Sequence, residues 1–259
     1  MTDKFLARHT TASLEALVAG KRGVIALVPV GSTEPHGPHL GLATDVLISA
    51  AACLRACELL DKRGTMVGLI APAVPYGVTE CATGFSGAVS IPPAVLTAYL
   101  TAIVDGLLGS GIRHVCLVNN HLEPAQDAAV RAVLEGREGD AKKRVSVACP
   151  LTKKWARTLS AEFKSGQCHA GRYETSIMMA AAPELVSEPM RGRLPPIPIS
   201  LSDTLRAGVT TFEAMGMEAA YAGDPAAASV EEGEQLIQRL GEMVVGEVLE
   251  ALGVKPPTS

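Results

Sequence analysis

Glu34, His36, His39 and Asp45 fall in one short stretch, Gly31-Ser-Thr-Glu-Pro-His-Gly-Pro-His-Leu-Gly-Leu-Ala-Thr-Asp45. A second group, His121 and Glu123, lies in Asn119-Asn-His-Leu-Glu-Pro124. Glu34 and His36 stand two residues apart, as do His121 and Glu123, so in an extended segment each pair leaves one face of the chain. Carboxylate with imidazole suits zinc, manganese or iron rather than calcium. A single ion takes three or four protein ligands. The set Glu34, His36, Asp45, His121 and Glu123 therefore suggests two divalent metal ions with one carboxylate shared between them. Such a pair generates hydroxide from water near neutral pH and polarises a carbonyl, which is hydrolytic chemistry. Each residue also has a plainer reading. Asp45 precedes a helix-like run and would serve as an N-cap. Glu123 stands before Pro124 at a helix start, where a carboxylate is favoured in any case. A lone histidine is commonly a hydrogen-bonded structural residue.

These residues need elements to bring them together. Gly23 to Val30 is a nearly continuous apolar run, as in a strand buried on both faces. Met66 to Ala71, His114 to Asn119 and Arg144 to Cys149 read as further strands, with a short one around Val89-Ser-Ile. Helical spacing runs over Thr11–Gly20, Val46–Leu60, Val95–Leu108, Pro124–Glu135, Lys153–Phe163, Tyr173–Ala182 and Val230–Leu252. Residues 187–215, rich in Pro, Gly and Ser, read as irregular, and Lys255-Pro-Pro-Thr-Ser as a loose tail. Alternating strands and helices imply crossovers and a mostly parallel sheet. The ligand-rich loops would then meet at its carboxyl edge, where such folds bind ligands.

Composition narrows the classes. The 259 residues carry no evident linker and read as a single domain with 47% apolar residues. Aromatics are only 3% and the net charge is −4, which argues against a base-stacking nucleic-acid surface and against anionic membranes. No leader is evident at Met1-Thr-Asp-Lys-Phe, and no apolar run approaches the roughly 20 residues of a membrane span. The six cysteines are scattered, without a CxxC pair. They fit reduced thiols in a cytoplasmic protein.

Three ordered motifs carry a family resemblance. The first is Gly31-Ser-Thr-Glu-Pro-His-Gly-Pro-His-Leu with Thr44-Asp45, the second Asn120-His-Leu-Glu123, and the third His169-Ala-Gly-Arg-Tyr-Glu-Thr-Ser176. Between the first two, Pro75-Tyr-Gly-Val-Thr-Glu and Phe85-Ser-Gly-Ala-Val-Ser-Ile fit as well, and Gly223-Asp-Pro is a weaker echo. Together they resemble the creatininase family of metal-dependent amidohydrolases. The resemblance implies a three-layer α/β/α sandwich with a mostly parallel sheet, two divalent metal ions per chain (zinc, manganese or iron) and a homo-oligomer, usually a hexamer. It implies that Glu34 and His121 bind one metal, that His36 and Glu123 bind the other, and that Asp45 bridges them. His169 would shuttle protons, and Glu174 would be either a supporting partner or a further ligand.

The chain departs from the family around the substrate. Creatinine-hydrolysing members resemble one another in aromatic and acidic residues upstream of the shuttle histidine, and in a tyrosine within the second motif. Here those places hold Ser165, Gly166, Gln167 and Cys168, and Leu122. Cys81 stands where histidine is frequent, and Gly41 where proline is usual. The resemblance thus implies a small-molecule amide other than creatinine, such as a cyclic or formyl amide or a small peptide. Thr79, Leu122, Cys168 and Arg172 are the expected substrate contacts. A catalytically silent subunit that binds metal or ligand within an oligomer is the competing expectation.

Overall fold

The computed structural model describes residues 2–254. The expected loose tail at Lys255–Ser259 falls outside them. Four strands, β1 (Gly23–Val30), β2 (Met66–Ile70), β3 (His114–Asn119) and β4 (Val145–Ala148), form one parallel sheet in the order β2-β1-β3-β4. The chain leaves β1 in one direction to make β2 and in the other to make β3, so the switch point lies between β1 and β3. Val30 pairs with Asn119 across that junction, and the loops after β1 and β3 begin side by side.

Alternation along the strands makes two cores. Ile25, Leu27, Cys116 and Val118 face the helices Thr44–Arg63, Arg172–Ala181 and Val230–Ala251. Val24, Ala26, Val28, Val115 and Leu117 face the helices Pro93–Gly109 and Pro124–Ala132, with Leu14 and Leu17 from Thr11–Val18. Burial on both faces explains why the strands read as unbroken apolar runs. The result is the expected α/β architecture with helices on both faces of the sheet.

Several elements differ from their sequence reading. Val89-Ser-Ile makes no strand; Ser90 forms only an isolated bridge to Gly77. The single helix expected over Lys153–Phe163 is two short ones, Lys153–Ala156 and Ala161–Ser165. Ser160 breaks the run by capping the second, its hydroxyl accepting from Phe163 N at 3.2 Å. The stretch expected to be irregular contains short helices at Glu188–Arg191 and Leu201–Arg206. Its following residues build a third small core, in which Phe212, Met215 and Met217 pack on Cys81 and Ala82. Cys81 N of that core donates to Glu123 Oε2, in the loop after β3, at 3.1 Å. Among the described residues no helix is long and apolar enough to cross a membrane.

Candidate metal centre

Close backbone approach creates the site. β1 runs into Gly31, where a Cβ would lie 2.7 Å from Val46 N and 2.8 Å from Asp45 Cβ. Only glycine lets the loop pass so near the helix that carries Asp45. That helix begins at Thr44 with Ala43 as its N-cap, so Asp45 does not cap it, contrary to one expectation; its side chain enters the site instead. Gly37, at φ +64°, turns the chain between His36 and His39. The β3 loop is fixed by polar side chains. Asn119 Nδ2 donates to His121 O at 2.9 Å. Ser49 Oγ donates to Val30 O at 2.7 Å and accepts from Asn120 N and Nδ2 at 3.2 and 3.0 Å.

Glu34, His36, Asp45, His121, His169 and Glu174 are buried together. His121 donates through Nε2 to Val78 O at 2.7 Å. In the neutral ring, Nδ1 then turns a lone pair toward Asp45 Oδ2 at 2.9 Å and Glu34 Oε1 at 3.3 Å. Although Nδ1 is close, Asp45 Oδ2 has no aligned hydrogen-bond donor among the described residues. His36 repeats the arrangement. Its Nδ1 donates to Glu34 O at 3.1 Å, leaving Nε2 3.1 Å from Asp45 Oδ1 and 3.7 Å from Glu174 Oε2. Three groups result, each with ligand-type atoms within 4.8 Å of one another: Glu34–His36–His169 and a pair of triads, Glu34–Asp45–His121 and His36–Asp45–Glu174. The pair of triads share Asp45, which gives one oxygen to each. Carboxylate oxygens and imidazole nitrogens converging in this way, with Asp45 Oδ2 left without a partner among the described residues, fit a divalent cation in each triad.

Without a cation, protons must carry the balance. Burial works against a charged His36, but Asp45, Glu174 and Glu34 outweigh it and raise its pKa to about 10. Burial lifts Glu174 to about 8, against the pull of His36. Burial also opposes ionisation of Asp45, yet His121 and His36 hold it below the usual carboxylate range. Opposed shifts of this kind in one buried cluster are what a candidate functional site shows.

Glu123, a metal ligand in the resemblance-based expectation, stands beside this cluster and lines the same cavity. Its oxygens accept from Glu80 N at 3.0 Å and Cys81 N at 3.1 Å, and Oε2 stays 4.0 Å from His121 Nε2. Glu174, not Glu123, completes the triad of His36. The helix start at Gly171 and the backbone of Ala170, whose N–H donates to Glu174 Oε2 at 2.7 Å, aim that carboxylate inward. His169 lies between two rings, 4.6 Å from His36 and 4.3 Å from Phe212 by centroid. Its Nε2 donates to Pro35 O at 3.0 Å, so the neutral ring leaves Nδ1 bare, 3.8 Å from Glu34 Oε1. Burial, reinforced by His36, lowers its pKa to about 4.

A cavity of about 440 Å³ opens on this cluster, and its lining includes Leu122 and Cys168, two of the residues named above as substrate contacts, together with Cys81. The other two expected substrate contacts stand elsewhere. Thr79 is buried behind Glu34 and donates its hydroxyl to Glu34 Oε2. Arg172 turns away to pair with Glu232 over a separate surface hollow, because it sits on the outer side of the helix whose inner side carries Glu174. Phe212, Leu201, Leu205 and Arg206 line the cavity without having been singled out from the sequence. They come from the Pro- and Ser-rich stretch and its sequel, where no periodicity marks an inward face.

A parallel α/β sheet with twin carboxylate–imidazole triads at its carboxyl edge defines a class of protein built around a candidate metal centre. Within that class, the profile of the Creatininase family, described as creatinine amidohydrolase, matches residues 7–248, and the chain belongs to this family. It is 30% identical over 224 residues to a mycofactocin precursor peptide peptidase of Mycolicibacterium smegmatis, covering 86% of this chain and 82% of the relative. It is 30% identical over 198 residues to a creatinine amidohydrolase of Pseudomonas putida, covering 70% of this chain and 73% of the relative. A crystal structure of creatinine amidohydrolase superposes with a TM-score of 0.73 at 25% identity over the full length of both chains.

Proposed function

We propose that the chain is a divalent-metal-dependent amidohydrolase that cleaves a C–N bond of a small amide or peptide other than creatinine. The observation that carries this reading is Asp45, whose two oxygens serve two different triads. In the proposal Glu34, Asp45 and His121 hold one ion, and His36, Asp45 and Glu174 the other. When bound, the pair supplies Lewis-acid chemistry, acidifying a water and polarising the scissile carbonyl. The protein does the rest. Thr79 and the carbonyls of Glu34 and Val78 lock the orientation of Glu34, His36 and His121, so the floor is preorganised. Buried beside Glu34 with Nδ1 free, His169 takes a proton there and returns it to the leaving nitrogen. Glu123, pinned by two backbone N–H groups, keeps its remaining lone pairs for water or substrate.

The cavity supports a substrate larger than creatinine. At about 440 Å³ it is in the range of sites for drug-sized ligands, and Leu122 and Cys168 give it apolar walls. Similarity to a peptide peptidase adds to the case for a peptide-like amide. A cytoplasmic homo-oligomer belongs to the same reading.

The test is turnover of a panel of formyl, cyclic and short-peptide amides by zinc- or manganese-loaded protein. Hydrolysis should vanish on chelation and in His121→Ala. Turnover that survives both would refute the reading. The altered pocket favours a second reading, a silent subunit. Full metal occupancy with no turnover across the panel would select it.

A further inference from the structure

The cavity over the metal centre differs in charge between its two ends. At its floor lie Glu34, Asp45, Glu123 and Glu174 with their histidines. The charged side chains lining it away from that floor are two cations, Lys164 and Arg206. Lys164 belongs to the short helix Ala161–Ser165, and Arg206 ends the helix Leu201–Arg206. Between floor and cations the walls are apolar: Leu122, Leu151, Leu205 and Phe212.

Neither cation is committed to a structural role. Both are exposed, and Lys164 has no carboxylate partner within 4.0 Å among the described residues. Arg206 Nη2 lies 3.0 Å from Asp203 Oδ1 and 3.3 Å from Ser202 Oγ, in a pair that is open to solvent on both sides. An exposed pair one helical turn apart holds weakly and yields to an anion that can take the guanidinium in a two-point grip. The chain as a whole carries a net charge of −4, so these two cations are not an outcome of a generally basic composition. One guanidinium and one ammonium suit a single carboxylate.

We propose that this cavity selects amides with an apolar body and a terminal carboxylate, which Lys164 and Arg206 hold at the mouth while the scissile amide reaches the metal-binding floor. The proposal rests on the amidohydrolase reading for what happens at the floor, but selection at the mouth is measured separately.

The probes are N-formyl-leucyl-leucine and its C-terminal amide, which differ only in the charged end. Binding to zinc-loaded protein is measured by calorimetry at low salt, with turnover followed in parallel. The free acid should bind about tenfold more tightly than the amide, the effect of one well-placed charged contact. In Lys164→Gln/Arg206→Gln the ratio should fall toward one, with the bound zinc unchanged. Equal affinity for the two probes in the unaltered protein, binding of neither, or a preference that persists in the double variant would each overturn the proposal. Acid-selective binding without turnover supports the selection and counts against the hydrolase. Turnover of both probes at equal kcat/KM overturns the selection and leaves the hydrolase standing.

Discussion

Asp45 Oδ2 and His121 Nδ1 face each other at 2.9 Å with no hydrogen bond aligned between them. The other proton-bearing position of His121 is engaged by Val78 O. A proton on the ring, opposed by burial but favoured by Glu34 and Asp45, or a cation in its place would offset the charge gathered here. Asp45→Ala should therefore lower divalent ions from about two per chain to less than one, and reduce turnover at least about a hundredfold. Elemental analysis of protein purified without added metal gives the answer. Unchanged metal content in the variant would show that the two triads are not joined through Asp45.

Ser49 predicts a purely structural effect. One hydroxyl ties the end of β1 to the loop after β3, through Val30 O and both nitrogens of Asn120. Ser49→Ala would leave these groups buried without their partner. The expected cost is about 1–3 kcal/mol, read from urea unfolding of the metal-free protein. Metal affinity should weaken as well, since His121 follows Asn120 directly. A variant as stable as its parent would mean that Asn120 finds another partner.

The strands were legible because burial on both faces writes continuous apolar runs, and β1 to β4 fall where those runs do. Glu34, His36, Asp45 and His121 were legible because they flank those strands at short range. Glu174 could not be placed by pattern alone. Its role depends on a helix far along the chain docking against the first loop, and on Ala170 adopting φ +50° to point an N–H at it. Arg172 and Thr79 lie inside the motifs, yet the first pairs with Glu232 and the second backs Glu34, orientations that depend on tertiary packing and that motif position does not carry. The cavity wall was illegible for a simpler reason. Leu201, Leu205 and Phe212 sit among short helices and turns, too brief to establish a periodicity.

His114 gives a pH prediction well away from the metal ligands. It is buried at the start of β3, with Nδ1 3.0 Å from Lys143 O and Nε2 2.8 Å from Ser146 Oγ. Burial, with Arg113 and Arg144 adding to it, lowers its pKa from 6.5 to about 4. The unfolded chain then binds the proton first as pH falls, so stability increases with pH between these values. The contribution is present above pH 6.5 and lost as pH falls through that window to about 4, by as much as about 3 kcal/mol. Denaturant unfolding at several pH values, compared with His114→Asn, isolates this share. The variant's stability should fall less steeply over the window; parallel curves would show that His114 is not held neutral.

The helix Pro93–Gly109 bears on assembly. Only Leu96, Leu100 and Val104 of this helix are buried, and it has a single charged residue, Asp105. Val95 and Tyr99 are 54% and 55% exposed, and Tyr76 and Val89 add further exposed apolar side chains from the preceding loop. If the protein is the homo-oligomer proposed here, this face is a natural contact between copies. Val95→Lys/Tyr99→Glu should then shift the sedimenting species to a smaller one. Stability of the separated chain should change by no more than about 0.5 kcal/mol, because neither side chain packs in the core. Analytical ultracentrifugation of both proteins over a range of concentrations decides the matter. A parent that sediments as a single chain would remove the oligomer from the reading, and an unshifted variant would place its contacts on another face.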